Sequence, residues 1–160
     1  MVKEIQLTQG YVASVDDEDF ERVNQFKWYA HRNKIRTVVY GYTKINKKSV
    51  MLHRFIMKVN ETKIQVDHRN GDGLDCKKVN MRLCLHGQNQ ANGKKYKNCS
   101  SKYKGVYYSN HAKKWAAQVA TGVSGKPRPL GYFNDEKEAA KAYDKAALEL
   151  HGEFALINFP

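Results

Sequence analysis

Acidic residues are scarce in this 160-residue chain: 16 Asp and Glu stand against 28 Lys and Arg, a formal charge of +12. The pI is near 9.6. That balance excludes an equally basic partner and favours a polyanion. There is no run of about eighteen apolar residues to suggest a membrane span, and no amphipathic basic helix to suggest a membrane surface. Nucleic acid is therefore the expected polyanion. The opening MVKEIQLTQG does not read as a signal peptide. With a mean hydropathy of −0.73, the chain reads as cytosolic, with a modest apolar core. Cysteines number only three, Cys76, Cys84 and Cys99, with no Cys-x-x-Cys pair. An odd count without that spacing argues against a disulfide framework and gives poor support to a four-ligand zinc site. No coiled-coil seam or exposed apolar helix offers a partner surface, so a monomer is expected.

The length permits one ordinary domain or two small ones. Residues 1–25 carry 2 basic and 6 acidic residues. They alternate through Ile5, Leu7, Tyr11, Ala13 and Val15, then pass into helix-like spacing at Phe20, Val23 and Phe26 behind Asp16–Asp19, acids suited to a helix N-terminus. This segment reads as scaffold. From Phe26 to Lys63 the balance reverses, with 10 basic residues against Glu61 alone. Trp28, Tyr29, Val38, Tyr40 and Tyr42 are strand-type residues, with turns at Asn33-Lys34 and Asn46-Lys47-Lys48. A short helix is expected over Met51–Met57, with Leu52, Phe55 and Ile56 inward. Its Arg54 can reach a phosphate or serve in packing.

The most informative stretch is VDHRNGDGLDCKKVNMRLCLHGQNQAN, Val66–Asn92. The apolar Val66 leads into Asp67-His68, and the turn formers Asn70, Gly71, Asp72 and Gly73 follow. Asn80 lies twelve residues after His68 and leads into the alternating Met81, Leu83 and Leu85. Asn89 lies nine residues beyond, in an amide-rich segment with helical character. This pattern resembles the HNH nuclease finger in its H-N-N form, most similar to phage and intron homing endonucleases. The resemblance implies a ββα-metal finger over about residues 64–92. His68 would be the general base, Asp67 and Asn89 the ligands of Mg²⁺ (or Mn²⁺), and Asn80 the residue that pins the loop and aims His68. The chemistry suits those residue types. A neutral imidazole can take a proton from water, and a hard cation needs few protein oxygens when water and phosphate supply the rest. Asn92, one turn on, is the alternative ligand; His86 reads as a polar residue at the hairpin end. Cys76 stands where the family often has Asn, which removes a loop hydrogen bond, and Met81 replaces a common Leu.

Residues 93–102, GKKYKNCSSK, read as a basic tether. Lys94, Lys95 and Lys97 are placed to follow phosphates, and the segment is expected to be solvated without DNA. Fully extended, ten residues span about 35 Å. Beyond it lie YKGV, KWAAQV, LGYF, EAAKAYDKAA and the closing INFP. Three strands, with turns at Asn110-His111 and Gly122-Val123-Ser124-Gly125, are followed by an amphipathic helix from Asp135 to His151, with a capping-box-like Asp135/Glu138 start and Gly152 as its stop. The expected inward face of that helix is Ala139, Ala142, Tyr143, Ala146, Ala147 and Leu150. Residues 103–160 resemble the ethylene-response-factor type DNA-binding domain of plant transcription factors, in which the three-stranded sheet enters the major groove. Charge agrees independently: residues 93–130 hold 9 basic and no acidic residues, whereas 131–160 hold 3 against 6. The sheet should therefore face DNA. Tyr107, Tyr108 and Ser109 stand where the plant proteins favour arginines, so their target sequence is not expected to transfer. Lys104, Tyr107, Lys114, Gln118 and Arg128 remain as contacts. Trp115 either packs on a sugar or lies under the helix.

The expected protein is therefore α+β, with a nuclease module over 1–92, a linker over 93–102 and a DNA-binding domain over 103–160. It would be a metal-dependent endonuclease of homing type acting on double-stranded DNA. The alternative is a transcription regulator that binds DNA without cutting it.

Overall fold

The computed structural model describes residues 1–32, 38–95, 99–121 and 126–160. The turns expected at Asn33-Lys34 and at 122–125, and the contact residue Lys97, lie outside the described residues. The architecture is α+β, with four small antiparallel sheets and four α-helices among the described residues. These divide into two compact units, Met1–Leu85 and His86–Pro160.

In the first unit, β1 (Val2–Gln6) pairs with β2 (Val12–Asp16), and α1 (Asp17–Asn24) follows directly. The alternation read from the sequence buries Ile5, Ala13 and Val15, and α1 adds Val23. Next come β3 (Tyr29–Arg32), β4 (Val39–Ile45) and β5 (Lys48–Met51), in sheet order β3-β4-β5. The β4–β5 turn places Asn46 and Lys47 at φ 50 and 65, the left-handed pair that a two-residue hairpin turn requires. The short helix α2 (Leu52–Ile56) falls inside the expected span. Trp28 is fully buried, and its indole N–H donates to the Val23 carbonyl at 2.9 Å. Phe26 and Trp28 both meet Phe55 edge-on, at 5.5 and 5.7 Å.

The unit ends in a hairpin of β6 (Gln65–His68) and β7 (Met81–Cys84). Its long connection is held from outside. Ser14 N–H donates to Leu74 O at 2.9 Å, and Cys76 N–H donates to Ser14 O at 2.8 Å, so the loop lines the edge of β2. Lys78 ties the same loop to the acidic start of α1: its ammonium meets Glu18 and Asp19, and its N–H donates to Asp16. Burial pushes the Asp19 carboxyl up, but hydrogen bonds from Arg22 and Lys78 outweigh that and leave it below the usual carboxylate range. The acid run read as a helix start also anchors the loop.

The second unit contains α3 (His86–Asn92), β8 (Val106–Ser109), β9 (Lys114–Ala120), β10 (Pro127–Phe133) and α4 (Glu136–His151). The sheet order is β10-β9-β8. Asp135 caps α4, its side chain accepting from the N–H groups of Lys137 and Glu138. The buried face of α4 is Ala139, Ala140, Tyr143, Ala146 and Ala147. Leu150, expected inward, is 41% exposed, and Ala140 is buried in addition. The INFP terminus is a clasp. Asn158 and Phe159 donate backbone N–H groups to the buried Asp144 carboxylate, and the Asn158 side chain bonds both backbone groups of Lys104.

One expectation fails at the end of the tether. Ser101 is buried, its hydroxyl donating to Glu136 at 2.7 Å, and the Ser100 hydroxyl accepts from Tyr108 N–H. Small polar residues that read as solvated linker serve here as hydrogen-bond partners of the second unit.

Candidate active site

Asp67 and His68 end β6, and strand alternation sends them to opposite faces. Asp67 lies directly across from Arg82. Both are buried, and Asp67 Oδ2 accepts from Arg82 Nε and Nη2, each at 2.8 Å. His68 faces the other way. Its ring meets those of His53 at 5.2 Å and Tyr40 at 6.0 Å, and its Nε2 lies 3.8 Å from the Cys76 sulfur.

Asn80 fixes the loop beside this pair. Its Oδ1 accepts from Asn70 N–H at 3.1 Å, its Nδ2 donates to Asn70 Oδ1 and to Asp75 O, and its carbonyl accepts from Arg69 N–H. Asn70 and Asp72 each fold back on the N–H two residues ahead, the Asx turns that such a sequence favours. Gly73 is where the loop crosses β4: a Cβ there would fall 2.5 Å from the Val39 carbonyl. The Cys76 thiol lies 3.7 Å from Gly73 O, so weak sulfur contacts stand where an amide would bond more strongly.

Asp67, His68 and His53 are all buried. Burial lowers the His68 pKa, opposed by the charges of Asp67, Asp72 and Asp75. Burial, then the neighbouring His68 and Arg54, lowers that of His53 to about 3. His53 is therefore neutral in the folded chain and ionisable near pH 6.5 in the unfolded one. The unfolded state takes up the proton first, so the contribution of His53 to stability is constant above about pH 6.5 and falls as pH drops from 6.5 toward 3. The full displacement amounts to roughly 5 kcal/mol. Urea midpoints measured against pH should show that acid slope, reduced in His53→Phe.

Burial also raises the thiols of Cys76, to about 12, and Cys84, to about 11, whereas Cys99 is exposed. A thiol reagent should label one cysteine per folded chain quickly and the other two only after denaturation, as a titration with and without urea would count.

The remaining finger residues lie in the second unit. Asn89 is half-buried on α3, Asn92 is buried near its end, and exposed His86 starts the helix, its Nε2 2.8 Å from Gln90. Among the described residues no group of three or more His, Cys, Asp or Glu converges to hold a metal ion, and Asp67 is already charge-paired with Arg82. This donor set fits only a hard cation that takes most of its ligands from water and phosphate, not an all-protein cage. Arg54 donates to Ile64 O and Glu61 O, both at 2.7 Å, and so braces the loop before β6.

In the second unit the sheet has two faces of different chemistry. Val106, Trp115, Ala117, Val119 and Phe133 pack with the alanine face of α4. Of the two readings for Trp115, packing under the helix is the one found; its ring also meets Tyr108 at 5.2 Å. Tyr107, Ala116 and Tyr132 form a row across the opposite face, which Lys114 and Gln118 share by alternation. Arg128 is exposed but pairs with the core residue Val119. Lys94 is exposed, whereas the ammonium groups of Lys95 and Lys104 donate to the carbonyls of Ser101 and Ala91.

The chain is 31% identical over 156 residues to an uncharacterized HNH endonuclease of Acanthamoeba polyphaga mimivirus, a match covering 94% of this chain and 76% of that protein. It belongs to the HNH endonuclease family. It is also 42% identical over 59 residues to an ethylene-responsive transcription factor of Arabidopsis thaliana, covering 37% of this chain and 14% of that factor. A dehydration-responsive element-binding protein of the same plant is 41% identical over 63 residues, 39% of this chain and 30% of that protein. The chain thus spans less than a third of either plant relative. No protein-family model matches it, and no solved structure matches it. Among the described residues no helix is long and apolar enough to cross a membrane.

Proposed function

We propose that the chain is a metal-dependent DNA endonuclease of homing type, with a nuclease finger of the ββα-metal kind and a C-terminal sheet that docks on double-stranded DNA. The observation that carries this reading is His68: a neutral, buried imidazole at a strand end, with the adjoining loop pinned by Asn80. His68 takes a proton from the attacking water, and the hydroxide so formed displaces one ester oxygen from phosphorus. Asp67, with Asn89 or Asn92, would hold Mg²⁺ or Mn²⁺, which would relieve charge on the phosphate and the leaving oxygen. Asn80 keeps His68 aimed. One such site in a monomer gives a nick.

The open sheet face supplies the second half of the reading. Lys114, Gln118 and Tyr107 lie on one side of the strands, away from α4, and Lys94 adds charge near the tether. With few arginines to grip guanine edges, phosphate contacts dominate affinity and make it steeply salt-dependent. The other reading, a regulator that binds without cutting, draws support from the plant relatives. Incubation with supercoiled plasmid, carrying duplexes selected from a random pool by retention on the immobilised chain, separates the two. Relaxation that needs Mg²⁺ or Mn²⁺ and stops with chelator supports the nuclease; retention without relaxation under either metal supports the regulator.

A further inference from the structure

The sheet β3-β4-β5 has one side that neither the core nor the proposed nuclease chemistry employs. Ala30, Gly41 and Thr43 turn inward and are buried, and strand alternation sends the residues between them to the other side. There Tyr29 pairs with Tyr42 and His31 with Tyr40, while Lys44 pairs with Ser49. Tyr29 is 38% exposed, and His31 and Lys44 are exposed as well. The rings form a ladder, Tyr42 meeting Tyr29 at 5.7 Å and His31 at 6.2 Å. Lys27, exposed just ahead of β3, sets its ammonium 5.7 Å from the centre of the Tyr29 ring. The Thr43 hydroxyl donates to the Lys27 carbonyl at 2.8 Å, which fixes that backbone against β4. None of the three strands carries an acid.

The face has a direction. Along β4 it presents Lys44, Tyr42 and Tyr40 in turn, and the Tyr40 ring meets that of His68 with centroids 6.0 Å apart. The ladder therefore ends at the proposed base. Four residues from Lys44 to Tyr40, at about 3.3 Å each, cover about 13 Å, close to the axial rise of about four base pairs. A face that met only water would have no use for a row of rings, and its cations call for an anionic partner. We infer that the outer face of β3-β4-β5 is a second DNA-binding surface, which holds the backbone of one strand beside the bond that is cut. Lys27 and Lys44 pair with phosphates, and Tyr29 and Tyr42 lie against the sugars between them. Backbone contacts position a duplex without reading its sequence. This face thus sets where the strand lies relative to His68, and target choice is left to the C-terminal sheet.

Closeness to the cut rests on His68 being the base, whereas the binding itself does not, and the test separates the two. The full chain is compared with the double variant Lys27→Gln, Lys44→Gln and with Tyr29→Ala, on the selected duplex and on one of unrelated sequence. Affinity is measured over a salt series, and hydroxyl-radical footprints show which sugars are covered. Urea midpoints and the Trp28 indole signal check folding, and sedimentation gives the mass of each chain without DNA. Loss of two phosphate-paired lysines should lower the salt slope by about 2 and weaken binding roughly tenfold to a hundredfold at about 0.1 M salt, equally on both duplexes. Protection should vanish over one stretch of about four base pairs, next to the nick, and persist elsewhere. Tyr29→Ala should weaken binding and leave the slope unchanged. A folded double variant with unaltered slope and footprint overturns the inference. So does a loss confined to the selected duplex, which would mean base readout. A full chain that sediments as a dimer, and as a monomer after Tyr29→Ala, gives the face to a second copy and overturns it too. A chain that binds and never cuts sinks the nuclease reading alone, and the protected stretch still decides the face.

Discussion

His68→Ala is expected to lower the rate of plasmid nicking by at least about a hundredfold, the lower range for loss of a general base, while leaving retention on DNA intact. Two features make the loss specific. The ring is held by packing, against His53 and Tyr40, so truncation leaves β6 and its register with Met81 in place. The phosphate-binding charge proposed for the chain lies elsewhere, on lysines of two sheets and of the tether. Affinity and chemistry should therefore separate in one substitution. Gel analysis of supercoiled, nicked and linear forms reads the rate, and retardation of a labelled duplex reads binding. Imidazole added to the His68→Ala chain should restore part of the activity, since the cavity left by the ring admits the missing base. A variant that cuts as fast as wild type would remove His68 from the mechanism.

The second unit was largely legible because its signals are local. A cap at Asp135, alanines at helical spacing and three short strand patterns need no distant information. What escaped was pairing between residues remote in sequence. Nothing near Asp144 announces that Asn158 and Phe159 will clasp it, and nothing near Ser101 announces Glu136. The packing of Trp115 was open for the same reason: strand alternation gives a residue two faces, and only the position of α4 decides which is the inner one.

The site in the first unit divides in the same way. The spacing of His68 and Asn80 was visible because loop and hairpin are contiguous. Arg82 was not singled out, and Tyr40 and His53 were placed on a strand and a short helix without a role in the site, although His53 and Arg82 are the buried polar neighbours of the proposed base and acid. Arg82 could have been found from hairpin register, since a strand acid buried opposite a basic residue calls for pairing. His53 had no such signal; its burial depends on α2 meeting β6 across the core. The acid run Asp16–Asp19 shows the limit of charge counting. Counting reads it as scaffold, whereas its contact with Lys78 ties it to the site loop.

Gly105→Ala should be the most damaging single methyl in the second unit. Gly105 sits at φ +76, and a Cβ there would fall 1.9 Å from Tyr143 Cδ2 and 2.4 Å from Cε2. Neither side can yield cheaply. The Gly105 carbonyl accepts from Gln118 N–H at 2.9 Å, which registers β8 on β9, while Tyr143 is buried on α4 beside the clasped Asp144. The left-handed conformation costs a non-glycine residue about 1–2 kcal/mol, and overpacking a closed core about 1–3 more, so roughly 2–5 kcal/mol is expected. The chain has two tryptophans, one in each unit, which makes the readout local. The indole N–H signal of Trp115 should broaden or move to its unfolded position, with Trp28 unchanged. Because the sheet face is the proposed docking surface, retention on duplex DNA should fall with it, and nicking at the selected site should fall in parallel. Unaltered Trp115 and unaltered melting would mean that Tyr143 moves aside easily, and that α4 grips the sheet less tightly than its packing implies.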